Sequence, residues 1–394
     1  MMKRWLYGFV SIMVVFLAIG CKQDTPNDSS TATDELESPL PDHDYEENPY
    51  QWGFINRAGN LVVVDQFDEV RSFQDGLALV RRNGRWAYIQ ADGKQAFTAT
   101  FRAAWPFQGK WARAQQDDGL FGYINRKGEW ALSPRYEELG DWAEGMAFFR
   151  EGDLYGYIDT NGTTVVAPQF EKAADFIEGA AIVASNGKYG LIDKQGKFLI
   201  ECRFKQIKRL STPDRLRVKQ EDKWGITDYR GKWVLPPKWL QLGEMDDNYV
   251  AAMEGEQWGL LSLNGQWSIR PDYDQLFYAG HHLWIADAGG NYSLLTATGD
   301  ALLSRTLSEI HPFSEGFACF RDGELWGYMD ASGRIISAPQ YFLAWPFQQG
   351  LARVATDAGL TFIDTTGRLI WLPRPNFLEI REYSDGLAPV QIYK

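Results

Sequence analysis

Trp52-Gly53-Phe54-Ile55-Asn56-Arg57-Ala58-Gly59 is an aromatic-glycine pair followed by two apolar residues and a turn ending in glycine. It returns near the end as Trp326-Gly327-Tyr328-Met329-Asp330-Ala331-Ser332-Gly333. Between them the anchor aromatic recurs at Trp86, Phe121, Tyr155, Tyr189, Trp224, Trp258 and Tyr292, and Leu360 takes the same place last. Every interval is 34 or 35 residues. A fixed period of this size marks a repeat architecture, so length does not set the domain count.

One unit serves for all. Tyr155 to Asp159 alternates large side chains and predicts a strand. Thr160-Asn161-Gly162 supplies the positive φ of a tight hairpin turn. Thr163 to Ala167 is the return strand, and Pro168 is expected to end it, since proline donates no ladder bond. Pro134, Pro236, Pro271 and Pro339 are placed as its equivalents. An aromatic follows two residues later, as at Phe170, Tyr136, Tyr273 and Tyr341. A second aromatic and an acid-glycine pair come next, as in Phe176-Ile177-Glu178-Gly179 and Phe313-Ser314-Glu315-Gly316. The third strand reads Ala180-Ala181-Ile182-Val183.

The expectation is an all-β chain of about ten units over residues 50–394, each with three short antiparallel strands. One unit cannot bury its own apolar face, so neighbours must cover it. The aromatic wealth, 16 Trp, 18 Tyr and 23 Phe, is therefore read as glue between units. The phase of the first hairpin and last strand permits an open curved array or a closed ring. The open superhelix is favoured, because ten units is large for a propeller.

These three submotifs, in fixed order and spacing, resemble the bacterial WG-repeat family, named for its Trp-Gly pair. The match spans about residues 50–394. Departures stand at Trp86-Ala87, Tyr292-Ser293 and Leu360-Thr361. The resemblance implies an all-β array and an envelope or surface location, and supplies no activity.

The amino-terminal end is a separate statement. Lys3 and Arg4 precede an apolar run from Trp5 to Leu17, then Ala18-Ile19-Gly20-Cys21 and polar residues. This is the three-part pattern of a secretory signal, too short to span a bilayer as a helix. Gly20-Cys21 resembles the cleavage point of a bacterial lipoprotein, with Ala18 where leucine is usual. That implies removal of 1–20 and lipidation of Cys21 (palmitate among the acyl chains), and so a membrane anchor. An ordinary secretory signal with an incidental cysteine is the alternative. Lys22, where aspartate favours inner-membrane retention, implies the outer membrane if the source is Gram-negative. Residues 21–49, rich in acids, Ser, Thr and Pro, read as a tether with a reach of roughly 30 Å.

The net charge of −12, or −14 once Lys3 and Arg4 are removed, excludes nucleic acid as the main partner. No nucleophile elbow, His-Glu-x-x-His or phosphate loop is present, so no catalytic residue, metal ligand or cofactor is assigned. The acids before glycine are read as turn devices. Asp246-Asp247 is read as solvated, His281-His282 as a strand pair facing opposite ways, and His311 as lacking an acid-base partner. Cys202 and Cys319 are read as small, unbridged residues. Two near-copies, Ala104-Trp105-Pro106-Phe107-Gln108 and Ala344-Trp345-Pro346-Phe347-Gln348, make Trp105 and Trp345 candidate ligand contacts. The function expected is a tethered scaffold for an envelope protein, peptide or polysaccharide. A spacer without a ligand and an enzyme assembled from loops of several repeats are the alternatives.

Overall fold

The computed structural model describes residues 50–393; the signal segment, Gly20, Cys21 and the tether lie outside the described residues. Among them there are ten antiparallel sheets, six of four strands and four of three, and no helix. The anchor hairpin forms the last two strands of each sheet. Its predecessors in the same sheet are a short first strand and the strand after the acid-glycine turn. In the fifth sheet these are Lys172–Ala173, Ala180–Ser185, Lys188–Asp193 and Phe198–Phe204. A unit counted from its anchor therefore straddles two sheets, because its third strand joins the next hairpin.

That phase closes the chain. The first hairpin, Tyr50–Asn56 with Leu61–Phe67, has no strands before it among the described residues. Leu387–Tyr393 and Phe377–Ile380 complete its sheet. Seven residue pairs join the two ends, from Tyr50 opposite Tyr393 to Asn56 opposite Leu387. The favoured open superhelix is thus replaced by its alternative, a ten-bladed propeller-like ring. Closure removes two sheet edges that an open array would leave exposed. We number the blades by their anchors, Trp52 in blade 1 to Leu360 in blade 10.

The core is ten separate apolar clusters, one at each blade junction. Phe170 of blade 4 meets Phe176 and Val183 of blade 5. Ile55, Ala388 and Val390 of blade 1 meet Phe362 of blade 10, so the closing junction is packed like the others. The expectation that recurrent aromatics glue unit to unit holds throughout. Edge-to-face ring pairs cross successive junctions, as Phe170 with Phe198 at 6.1 Å and Phe204 with Trp233 at 5.8 Å.

The strand after the hairpin turn runs through its proline instead of stopping there. Thr164–Phe170 continues past Pro168 by a bulge, with Tyr155 opposite Phe170 and Tyr157 opposite Val166. The sixth-blade equivalent is Pro237, not Pro236, since its nitrogen approaches Gly225 as that of Pro168 approaches Gly156. The bulge explains the glycine of the Trp-Gly pair. A Cβ on Gly156 would lie 2.5 Å from the Val166 carbonyl oxygen and 2.8 Å from the Pro168 nitrogen. Seven blades repeat this approach at 2.4–2.7 Å. The other three carry Ala87, Ser293 and Thr361 there, and those three blades lack a regular fourth strand.

The contact has a measurable consequence. Gly156→Ala is expected to cost about 2–3 kcal/mol, as an overpacked backbone contact does. Ala87→Gly, where no bulge presses, should cost only about 0.5–1 kcal/mol of chain entropy. Denaturant unfolding of both variants decides it, and equal losses would refute the contact as the cause.

Candidate functional site

Strand direction places the turns between first and second strands and between third and fourth strands on one rim of the ring. On this rim the acids of the acid-glycine pairs have positive φ, 51° at Glu144 and 55° at Glu178, and the following glycines do too. These are two-residue turns of the kind read from the sequence. The carboxylates also reach forward by one blade. Glu144 accepts from the Gly179 amide at 2.9 Å, and Glu315 accepts from the Gln349 and Gly350 amides at 2.7 and 2.8 Å. Asp385 accepts from Gly76 at 2.8 Å, across the closure. Basic side chains reach back, as when Lys194 donates to the Glu144 carbonyl at 2.7 Å.

Inside the junctions the hydroxyl two residues after an anchor does similar work. Tyr88, Tyr123, Tyr157 and Tyr328 each donate to a carbonyl of the next blade, at 2.6 to 2.9 Å. Burial raises all four phenols far above their usual range. Arg113 and Arg353 do likewise, donating to the carbonyls of Leu139 and Ile380.

Those arginines meet the two candidate tryptophans. Trp105 and Trp345 are half-buried, and each has a guanidinium over its ring, Arg113 at 4.2 Å and Arg353 at 4.0 Å. Each arginine also pairs with an acid of the next blade, Asp141 at 3.1 Å and Glu382 at 3.0 Å. The near-copied sequences are thus near-copied sites, on blades 3 and 10, with blades 1 and 2 between them.

Two polar clusters escaped the sequence. His311 does have partners: its Nε2 lies 3.2 Å from Glu309, which also pairs with Arg321 at 3.3 Å. The Cys319 thiol and then the Glu309 carboxylate raise the His311 imidazole to about 10. Glu309 and His311 sit two apart on one strand edge, while Cys319 and Arg321 come from the strand beside it, so only folding joins them. Cys319 is buried, Cys202 half-buried, and both are free. The second cluster is Asp141 and Asp175. Burial, with the Asp141 charge next, raises Asp175 to about 6.

The histidine pair is not on a strand. His281 and His282 have φ of 54° and 60° in a two-residue turn. His282 Nδ1 lies 3.4 Å from Asp246, which is buried and caps its own turn by accepting from the Asn248 and Tyr249 amides. Asp246 is therefore structural and not solvated. Among the described residues no group of three or more His, Cys, Asp or Glu could hold a metal.

One blade is incomplete in its main-chain pairing. In nine blades the anchor is paired with a residue fifteen positions on, as Trp52 with Phe67 and Trp326 with Tyr341. Trp86 and Tyr292 keep that pairing, with Phe101 and Leu307, despite their irregular strands. In blade 10 the fifteenth position is Pro375, which has no N–H, and Leu360 has no such partner among the described residues. The chain swerves toward blade 1, where Trp371 packs near Gly59 and Phe377. A groove of about 450 Å³ remains beside blade 9, lined by Leu325, Tyr341, Phe342, Thr356, Asp357 and Leu369 among others. Phe342 and Leu369 are 54% and 43% exposed. The sequence signals were Thr361 in place of glycine and Pro375 in place of an aromatic.

The family model described as WG containing repeat matches residues 52–86, 121–155, 155–189, 189–224, 299–326 and 326–357. A search of curated proteins returns no match. Among solved structures, the chain is similar to a eukaryotic initiation factor at 12% identity and TM-score 0.45, over 73% of this chain and 94% of that one. It is also similar to BamB from Moraxella catarrhalis, at 13% identity and TM-score 0.32, over 63% and 89%. A third is PorZ, a surface component of the type-IX secretion system of Porphyromonas gingivalis, at 10% identity and TM-score 0.28, over 85% and 55%.

Two pH responses arise from the polar clusters. Asp175 has a folded pKa above its unfolded value, so the stability it contributes is full below about pH 4 and is lost as pH rises through about 6. Asp175→Asn should therefore stabilise the ring by about 1 kcal/mol at pH 8, allowing for partial solvent screening, and by nothing at pH 4. His311 is also raised, so its contribution is full below about pH 6.5 and is lost as pH rises through about 10. Melting temperatures of His311→Gln should fall less between pH 7 and 10 than those of the parent. A parallel decline would rule out His311 as the titrating group.

Proposed function

The chain belongs to the WG-containing-repeat family, and from that premise we propose that it is a membrane-tethered, non-catalytic scaffold of the bacterial envelope that binds another protein or peptide. One observation carries this reading. The polar side chains that recur with the repeat, the tyrosines, arginines and acids, are bonded across blade junctions. They hold the frame and leave the residues that vary between blades to meet a partner. A closed ring with packed junctions presents such residues on a rigid surface, which lowers the ordering cost of binding.

Lipid on Cys21 would hold the ring at a membrane, with residues 22–49 as its spacer and the outer membrane as its site in a Gram-negative cell. Trp105 and Trp345 would be secondary contacts, through the part of each ring not covered by arginine.

Two measurements test the proposal. Cys21→Ser should abolish incorporation of labelled palmitate and move the protein from the membrane pellet to the soluble fraction. Retention in the pellet would reject the lipid anchor. Crosslinking in intact cells and then pull-down should return one stoichiometric partner. Recovery of the ring alone would favour a spacer, and turnover in a broad hydrolase screen would favour an enzyme.

A further inference from the structure

Where blade 10 lacks a regular fourth strand, the chain seals the edge with an irregular segment, residues 369–374. Leu369 is bridged to Ile363, and the Ile370 amide donates to the Phe362 carbonyl at 2.9 Å. The Thr361 hydroxyl donates to the Trp371 carbonyl at 2.7 Å, and Pro373 and Arg374 lie against Gly359. Ile370 and Trp371 turn inward onto the junction with blade 1. That leaves Leu369 and Leu372 outside. Leu372, at 79%, is the most exposed large apolar residue among the described residues.

The exposed surface runs on to the place where the tether joins the ring. Phe342 lines one groove with Leu369. Beyond Leu372, the Asn376 carbonyl accepts from the Tyr393 amide at 3.1 Å, and the Tyr393 ring meets Tyr50 edge-to-face at 5.9 Å. Tyr50 is the first described residue, so the segment from Cys21 enters the ring there. Five of the twelve exposed large apolar side chains among the described residues therefore follow one path that starts at the tether. Arg368 and Arg374 flank the leucines, and no acid lies between Thr365 and Asn376, in a chain of net charge −12.

We infer that this edge of the ring is a membrane-docking face: Leu369 and Leu372 enter the headgroup–acyl boundary of the bilayer that holds the tether, Tyr50 and Tyr393 sit at headgroup level, and the two arginines meet the lipid phosphates. This rests on the tethered reading above and says which side of the ring meets its membrane. Three observations choose lipid as the occupant. The tether joins the ring here, so this end is the one it confines closest to the bilayer. Leucines flanked by arginine and tyrosine have the make-up of an interfacial segment. The main chain at Ile370 and Trp371 is already bonded within the blade, so the leucines offer side-chain surface and no strand edge, and a fluid hydrocarbon layer needs no matched shape. Two leucines bury too little to hold the ring at cellular dilution, and the tether supplies the effective concentration that makes the contact count.

The test is flotation with vesicles of phosphatidylethanolamine and phosphatidylglycerol, using the full mature chain with Cys21→Ser so that no acyl chain contributes. At high lipid concentration the chain should float saturably. Leu369→Ser with Leu372→Ser should weaken this partition at least about tenfold. Both side chains are exposed, so the melting temperature should not move, and loss of flotation there is not loss of fold. Val165→Ser with Leu199→Ser, at exposed apolar positions on blades 4 and 5, should float like the parent. Arg368→Gln should weaken flotation about fivefold on these anionic vesicles. No flotation of the unlipidated chain, or an equal loss in the blade 4 and 5 variant, would overturn the inference.

Two other occupants have their own signatures. A dimer that does not float and that the leucine changes dissolve would overturn it in favour of a second copy. A crosslinked protein lost with the leucines, again without flotation, would overturn it in favour of a protein partner. Palmitate uptake separates this inference from its premise. A parent that takes up palmitate, with a Cys21→Ser form that ignores vesicles, overturns the docking face alone. A parent that takes up none and stays in the soluble fraction overturns the tethered reading itself.

Discussion

The fourth strand lies directly on the glycine of the Trp-Gly pair, and the ring is organised by that contact. With no Cβ at Gly327, the Ser337 carbonyl oxygen comes to where one would stand, 2.6 Å away. The bulge this permits turns the proline nitrogen, which has nothing to donate, toward the same glycine. It also delivers the next aromatic, Tyr341, back to the anchor Trp326. Tyr341 then closes the junction with blade 10. A glycine, a proline and an aromatic spaced over fifteen positions are thus one device. Where a side chain replaces the glycine, as at Ala87, Ser293 and Thr361, the fourth strand is reduced to isolated bridges.

Closure results from the order in which the chain makes its strands. A blade takes its first two strands from the residues before its hairpin, so the first hairpin needs two strands from elsewhere. The carboxyl-terminal residues provide them, and the polar links are continued across the joint. Tyr383 donates to the Asn56 carbonyl at 2.7 Å, and Arg381 to the Val70 carbonyl at 2.7 Å. The joint therefore has the same apolar packing and the same hydroxyl and carboxylate bonds as the other junctions. Single exposed ion pairs contribute little. Repetition around a closed ring matters more, because each junction limits the motion of both neighbours.

The sequence was most legible where spacing alone decides structure. The anchor period, the Asn161-Gly162 turn and the strand at Ala180 all come from local patterns, and they stand where expected. Closure was not legible, since the same phase of Trp52 and Leu387 suits an arc or a ring, and only the pairing of Tyr50 with Tyr393 chooses. Pro168 reads as a stop because proline has no N–H to donate, whereas the bulge gives that nitrogen a place needing no acceptor. The acids were half read: positive φ at Glu144 is a local matter, but its bond to Gly179 spans 35 residues. The partners of His311 are hidden in the sequence because all but Glu309 come from a neighbouring strand. The departures Ala87, Ser293 and Thr361 were visible as letters, and their meaning needed the bulge.

The three imperfect blades differ in the path the chain takes beyond the defect. In blades 2 and 8 it detours and returns, so Phe101 and Leu307 still bond the anchor. In blade 10 the return position is a proline, and no detour can recover a donor that the residue lacks. The ring is nonetheless whole there, because Trp371 reaches the blade 1 junction by another path and packs on Phe377 at 5.9 Å. Apolar burial and main-chain pairing, joined in nine blades, are separated in the tenth. The junction keeps its packing, and the chain covers the edge beside Leu360 itself: Ile370 donates to the Phe362 carbonyl at 2.9 Å, and the Thr361 hydroxyl to the Trp371 carbonyl at 2.7 Å. An open main-chain edge beside apolar surface is costly to leave uncovered. In blade 10 the chain meets that cost with its own irregular segment, whose path is set by two residues, Thr361 and Pro375.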